Sequence, residues 1–254
     1  MKRTRISQSL RVITLGACLG LSLLACDKSQ NEATPSAKVT IASNATLGNF
    51  LTDASGKTLY FFTKDVDGIS ACTEGCLSNW PVFFDESITV GYGLDAKNFA
   101  TITRTDGKKQ TTYKGWPLYH FTKDENPGDT KGNGAVNNSF FVANPNYSVF
   151  VADKNGAKFL VDATGRSLYQ FDNDAAQISN CKDGCLTVWP QFAASPATVP
   201  SFLTAGDFGY ITRPDGKQQS TFRQKPLYYF SSDAVRGDAK GNAANPKFKL
   251  ATNN

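Results

Sequence analysis

The sequence predicts an all-β protein made by tandem duplication, and three observations carry that prediction. The pattern Leu-Tyr-x-Phe-x-x-Asp occurs at Leu59–Asp65, Leu118–Asp124, Leu168–Asp174 and Leu227–Asp233. The first and third copies lie 109 residues apart, as do the second and fourth, and the same offset carries Cys72 to Cys181, Cys76 to Cys185, Trp80 to Trp189, Arg104 to Arg213 and Gly132 to Gly241. Between the motifs the chain shows short apolar runs broken by Gly turns, and little of the 3.6-residue period of a helix.

The duplication is close in places. Leu51–Phe62 matches Leu160–Phe171 at seven of twelve positions, and Ile102–Gln110 matches Ile211–Gln219 at seven of nine. A fixed period of this kind is the signature of a repeat architecture. Within each unit the two motifs are 59 residues apart, so each unit reads as two half-repeats. Four short repeats are expected to form a propeller-like ring or two β lobes.

Taken in order, the chain opens with Lys2, Arg3, Arg5 and Arg11 and then runs apolar from Val12 to Ala25. That is a charged region and an apolar region of secretory-leader length, short of the roughly 20 apolar residues a membrane span needs. The run ends Leu23-Leu24-Ala25-Cys26, which resembles the bacterial lipobox. The resemblance implies cleavage before Cys26 and a diacylglyceryl group on its sulfur, which would anchor the mature protein to a membrane. Removing residues 1–25 removes four basic residues and no acidic one, taking the net charge from +5 to +1. The basic balance therefore belongs to the leader. No basic stripe follows, so nucleic acid is not an expected partner. Residues 26–38 are polar and aperiodic, as a flexible tether would be. Residues 39–147 and 148–254 are then the two units.

Each motif reads as a strand. Tyr60 and Phe62 fall on one face and Leu59 on the other, and Asp65 ends the strand where its carboxylate can accept turn N–H groups. The same holds for Tyr119, Phe121 and Asp124, for Tyr169, Phe171 and Asp174, and for Tyr228, Phe230 and Asp233. Fourfold repetition favours a packing role for these residues over a binding role. Leu51–Tyr60 reads as strand, Gly turn, strand, and Phe159–Tyr169 repeats it. Asp106-Gly107 marks a hairpin, repeated at Asp215-Gly216. Helix is expected only as short turns, at Thr73–Trp80 and Lys182–Trp189.

With a lipobox, four Tyr-x-Phe-x-x-Asp motifs, and Cys-x-x-x-Cys followed by Trp-Pro in each unit, the chain resembles the predicted bacterial lipoproteins with a conserved Yx(FWY)xxD motif. That family is also called the secreted repeat of unknown function, or lipoprotein type 15. The resemblance implies a lipid-anchored envelope protein and brings no established activity.

Cys18 leaves with the leader and Cys26 is the lipidation candidate, which leaves Cys72, Cys76, Cys181 and Cys185. Export exposes them to oxidising conditions. Four cysteines allow three pairings, and the repeat favours Cys72–Cys76 and Cys181–Cys185. Residues i and i+4 of a helical turn lie near 6 Å, within disulfide reach. Such a bridge would pin the turn carrying Trp80-Pro81 or Trp189-Pro190. Two other readings stay open. A tight disulfide can serve redox chemistry, in periplasmic electron transfer or thiol exchange through Cys72/Cys76 and Cys181/Cys185, and paired cysteines can hold a soft metal, although His120 is the single histidine. No Cys-x-x-Cys-His is present, so covalent haem is excluded.

A Ser-His-Asp site would have to use His120, without a Gly-x-Ser-x-Gly to support it. The loops Asp124–Asn133 and Asp233–Asn242 share Asp-x-x-x-Gly-Asp-x-Lys-Gly-Asn, in which Lys131 and Lys240 oppose a bound calcium. A glycan platform would use Trp80, Trp116 and Trp189, but Lys225 replaces Trp116 in the second unit. The expectation is a non-enzymatic binding or scaffolding protein with no catalytic residue, no metal and no cofactor, held to the membrane through Cys26 and facing an unidentified envelope partner.

Overall fold

The structure, a computed structural model, describes residues 38–194 and 197–253. The leader, Cys26 and the tether as far as residue 37 lie outside the described residues. Unit 1 opens with the hairpin β1 (Val39–Asn44) and β2 (Gly48–Asp53), with Val39 opposite Asp53. After a turn, β3 (Tyr60–Phe62) pairs antiparallel with β7 (Phe140–Val142), far away in sequence. Between them lie α1 (Gly75–Asn79), a three-stranded sheet of β4 (Phe99–Thr103), β5 (Lys109–Tyr113) and β6 (Trp116–Pro117), and α2 (Ala135–Asn138).

Unit 2 repeats this plan. The hairpin β8 (Val149–Lys154) and β9 (Ala157–Asp162) is followed by β10 (Tyr169–Phe171), α3 (Gly184–Val188), β11 (Phe208–Thr212), β12 (Gln218–Phe222), β13 (Lys225–Pro226), α4 (Gly241–Ala244) and β14 (Phe248–Leu250). β14 pairs with β10 as β7 pairs with β3. The fold is all-β, with helices of four or five residues. Of the two arrangements expected, a propeller-like ring or two β lobes, the ring does not form. Strands of two to six residues assemble into sheets of two or three strands, too few to close a barrel or propeller among the described residues.

Turn chemistry fixes these hairpins. At the β4–β5 turn the Asp106 carboxylate accepts the Lys108 N–H (3.1 Å), and Gly107 takes φ of 78°. In the turn after β2, Asp53 accepts the N–H groups of Ser55 and Lys57. α1 and α3 fall inside the two segments where helical turns are expected, whereas α2 and α4 lie outside them, after the second motif of each unit.

The two units share one body. The β8–β9 hairpin is the wall between them, and its pleat sends alternate side chains to opposite sides. Phe150, Ala152, Phe159 and Val161 pack with Leu59, Phe61 and Trp116 of unit 1. Val149, Val151 and Leu160 pack with Leu168, Phe222 and Leu227 of unit 2. Unit 1 meets this wall with Trp116, whose indole N–H donates to the Ala163 carbonyl (3.0 Å). From unit 2, Arg236 lies over the Trp116 ring (4.8 Å) and donates to the Val66 carbonyl (2.6 Å).

Candidate functional site

The four motifs meet in pairs. Tyr60 and Tyr119 exchange backbone hydrogen bonds, N–H to carbonyl, at 2.8 and 3.1 Å, and Tyr169 and Tyr228 do the same at 2.8 and 2.9 Å. Motif 1 lies on β3 and motif 3 on β10. Motifs 2 and 4 make only single-residue bridges here, which corrects the expectation of four strands. The physical reason is a second partner. His120 N–H donates to Pro81 and Thr122 N–H to Asn79, so the chain after Tyr119 follows the disulfide turn rather than a strand.

Across each pair the polar side chains are crossed. The Tyr60 hydroxyl donates to Asp124 (2.5 Å) and the Tyr119 hydroxyl to Asp65 (2.6 Å). In unit 2, Tyr169 donates to Asp233 (2.8 Å) and Tyr228 to Asp174 (2.7 Å). The second oxygen of each carboxylate accepts a backbone N–H six or seven residues downstream: Ala71, Lys131, Asn180 and Lys240. Each Asp therefore closes its own turn and anchors the tyrosine of the partner motif. All four tyrosines and all four aspartates are buried.

Burial sets the electrostatics. Loss of hydration pushes all four carboxyls above the usual aspartate value, and Asp65, the deepest, to about 7. Loss of hydration also drives the four tyrosine hydroxyls upward, so they remain protonated donors.

Around Tyr119 the network extends further. Its hydroxyl bonds Ser70 (2.7 Å), and Arg104 joins Ser70, the Gln110 side chain (2.8 Å) and the Cys72 carbonyl (2.8 Å). Gln110 donates onward to the Leu118 carbonyl (2.9 Å). Unit 2 copies every member: Ser179, Arg213, Gln219 and the Cys181 carbonyl. Sequence reasoning assigned no role to Arg104, Gln110 and Ser70. The signal was present in the near-identity of Ile102–Gln110 and Ile211–Gln219, which keeps both Arg and Gln. Around Tyr60 the corresponding place is taken by the Gly132 N–H (3.3 Å).

The cysteines are bridged as Cys72–Cys76 and Cys181–Cys185, with Cα atoms 5.4 Å apart in both. Each bridge precedes a tryptophan inside an aromatic stack. Trp80 stacks on Phe140 (3.6 Å between centroids) and on Phe121 (4.4 Å), and Phe62 stacks on the far side of Phe140 (4.2 Å). Trp189, Phe248, Phe230 and Phe171 repeat the stack. Beside each stack runs an open groove. The first, of about 340 Å³, is lined by Phe62, Cys76, Trp80, Val136 and Phe140; the second, of about 440 Å³, by Phe171, Cys185, Val188, Trp189 and Phe248.

Three other expectations resolve plainly. All three tryptophans are buried, so they form no glycan platform. In the Asp-Gly loops Lys131 and Lys240 pair with Asp129 (3.0 Å) and Asp238 (2.8 Å), occupying the carboxylates a calcium ion would need. His120 lies 3.6 Å from Asp53, the place where Tyr229 bonds Asp162 (2.9 Å), and burial lowers its pKa. It is a half-buried partner of a turn. No group of three or more His, Cys, Asp or Glu suited to a metal occurs among the described residues.

Fold and site together define a tandem β-repeat protein whose signature residues lock its interior. The chain belongs to the family described as a secreted repeat of unknown function, which matches residues 42–83, 100–142, 149–193 and 209–247. These four segments each contain one motif. Comparison with curated proteins and with solved structures finds no match.

Proposed function

We propose that the protein is a lipid-anchored component of the bacterial cell envelope that binds or scaffolds a partner. Residues 1–25 serve as the leader, Cys26 carries the lipid, residues 26–38 act as the tether, and residues 39–147 and 148–254 form the displayed units. One observation supports the display role above the others. The polar groups of all four motifs are engaged with one another inside the protein, while a groove beside each disulfide, bordered by the exposed Val136 in one unit and the exposed Val188 in the other, recurs at the surface. Membership of a secreted repeat family supports export. No helix among the described residues is long and apolar enough to cross a membrane.

Two measurements test this reading. Metabolic palmitate should label the wild type, and Cys26→Ser should lose the label and leave the membrane fraction; an unlabelled wild type refutes the anchor. A photo-crosslinking residue placed in intact cells at Val136, and separately at Val188, should trap one and the same envelope component. Both positions are exposed, at 59% and 43%. Different adducts at the two positions, or none at either, would refute paired display.

A further inference from the structure

We propose that Cys76 and Cys185 are the receiving sulfurs of two thiol–disulfide exchange sites, one in each unit, that take electrons from a dithiol carried by a peptide or protein partner. This goes beyond the display reading and does not depend on lipidation. The first observation is an asymmetry of access. Cys72 and Cys181 are 0% and 1% exposed, whereas Cys76 and Cys185 are half-buried and line the two grooves. An incoming thiolate therefore reaches only the second cysteine of each pair.

The second observation is backbone strain inside the disulfide loop. Glu74 holds φ 44° and ψ −116°, and Asp183 holds φ 48° and ψ −123°. This region suits glycine, and a side chain there is strained. Both copies keep a non-glycine residue at this place, with the adjacent Gly75 and Gly184 left at ordinary φ. Opening the bridge releases that constraint.

The third observation concerns the departing sulfur. Arg104 is bonded to the carbonyl of Cys72, and Arg213 to that of Cys181, at 2.8 and 2.7 Å. Each guanidinium also pairs with an aspartate, Arg104 with Asp106 (3.4 Å) and Arg213 with Asp215 (4.0 Å), so the positive charge beside the leaving cysteine is partly offset; what remains favours the thiolate formed there. Val136, exposed at the edge of the first groove over the buried rings, offers an apolar contact for residues flanking the attacking thiol.

The partner's thiolate forms a bond to Cys76 Sγ, and the Cys72–Cys76 bond breaks with its electron pair going to Cys72 Sγ, which takes up a proton. The partner's second thiol, deprotonated, attacks the partner sulfur of this mixed disulfide and expels Cys76 as a thiolate, which is then protonated. Two electrons and two protons pass from the dithiol to the cystine, and the partner leaves with its own disulfide. The same sequence applies at Cys185 and Cys181.

The test uses the full-length folded protein with glutathione as a monothiol probe, followed by acid quench and peptide mapping. Glutathione is expected on Cys76 and Cys185, forming at least about tenfold faster than global unfolding followed by tryptophan fluorescence. Glutathione on Cys72 or Cys181 would overturn the assignment. So would modification that appears only at the rate of global unfolding, since the bridges would then be inert staples. Dithiothreitol supplies the second arm. It should release two thiols per unit in the folded protein and change the emission of Trp80 and Trp189, and the absence of native-state reduction would again overturn the proposal.

Discussion

Tyr60 shows what a repeated residue is for. A tyrosine and an aspartate five positions apart invite the view that they work within one motif. Instead Tyr60 bonds Asp124, 64 residues away, and Tyr119 bonds Asp65. A double-mutant cycle separates the two views. Tyr60→Phe leaves the buried Asp124 carboxylate short of a donor and should cost about 1–3 kcal/mol. Coupling of about 1–2 kcal/mol is expected between Tyr60→Phe and Asp124→Asn, and clearly less between Tyr60→Phe and Asp65→Asn. The pattern was legible in the sequence, and so was an aspartate that closes a turn. The crossing was not, because spacing along a chain carries no record of which copy faces which. Burial of Asp65 also makes a pH prediction. Its folded-state value of about 7 lies above the ordinary 3.8, so the folded protein holds that proton more tightly than the unfolded chain. The contribution to stability is complete below about pH 4, is lost as pH rises through 7, and is level above. Asp124, Asp174 and Asp233 shift in the same direction. Denaturant midpoints should be higher at pH 5 than at pH 8, and Asp65→Asn should flatten that difference.

The disulfide turn and the aromatic stack form one element in each unit. α1 and α3 are single turns, stabilised by what they carry more than by helix propensity. Their position was readable from Cys-x-x-x-Cys and Trp-Pro. The stack was not, because Phe140 and Phe248 lie on β7 and β14, strands outside any motif and returned to the first motif by long-range pairing. The glycines that admit the tryptophan rings were visible as repeated residues without a stated reason. A Cβ on Gly132 would stand 2.8 Å from Trp80 and 3.0 Å from Tyr60, and one on Gly241 2.7 Å from Tyr169. Gly132→Ala and Gly241→Ala should each destabilise by about 1–3 kcal/mol through overpacking, read as a lower urea midpoint with an unchanged slope. Gly107→Ala, which meets no atom within 4 Å, reports the separate effect of positive φ.

For the molecule as a whole, the informative positions are those where the duplication fails. Trp116 corresponds to Lys225, and Arg236 to Pro127. Gly115 makes room for the Arg236 guanidinium, whereas its counterpart Gln224 is exposed. The register of the first hairpins sets the Thr40–Thr52 pair against the Phe150–Val161 pair. Every residue on the apolar side of these differences lies at the contact between units. Two units were legible from the period, but their shared wall was not, because a repeat search rewards identity and the wall is made from differences. Trp116→Lys, which copies unit 2 into unit 1, removes a buried ring, an indole hydrogen bond and a cation–π partner. It should lower the unfolding free energy by about 3–5 kcal/mol. Lys225→Ala, at the corresponding place in unit 2, should change it by less than about 0.5 kcal/mol in the same denaturation experiment.

The contact between units is directional. Unit 1 offers Trp116 and the loop at Val66, and unit 2 answers with Arg236 and the Phe150 side of its hairpin. A joint whose two faces differ is the kind from which chains of subunits grow without limit, since each addition exposes a fresh copy of the face just used. The trailing end presents Lys225 and Gln224 in place of tryptophan and glycine, and the leading end presents Thr40, hydrogen-bonded to Thr52 (2.9 Å), in place of phenylalanine. The apolar joint is thus used once within the described residues, and its counterparts at the two outer ends are polar.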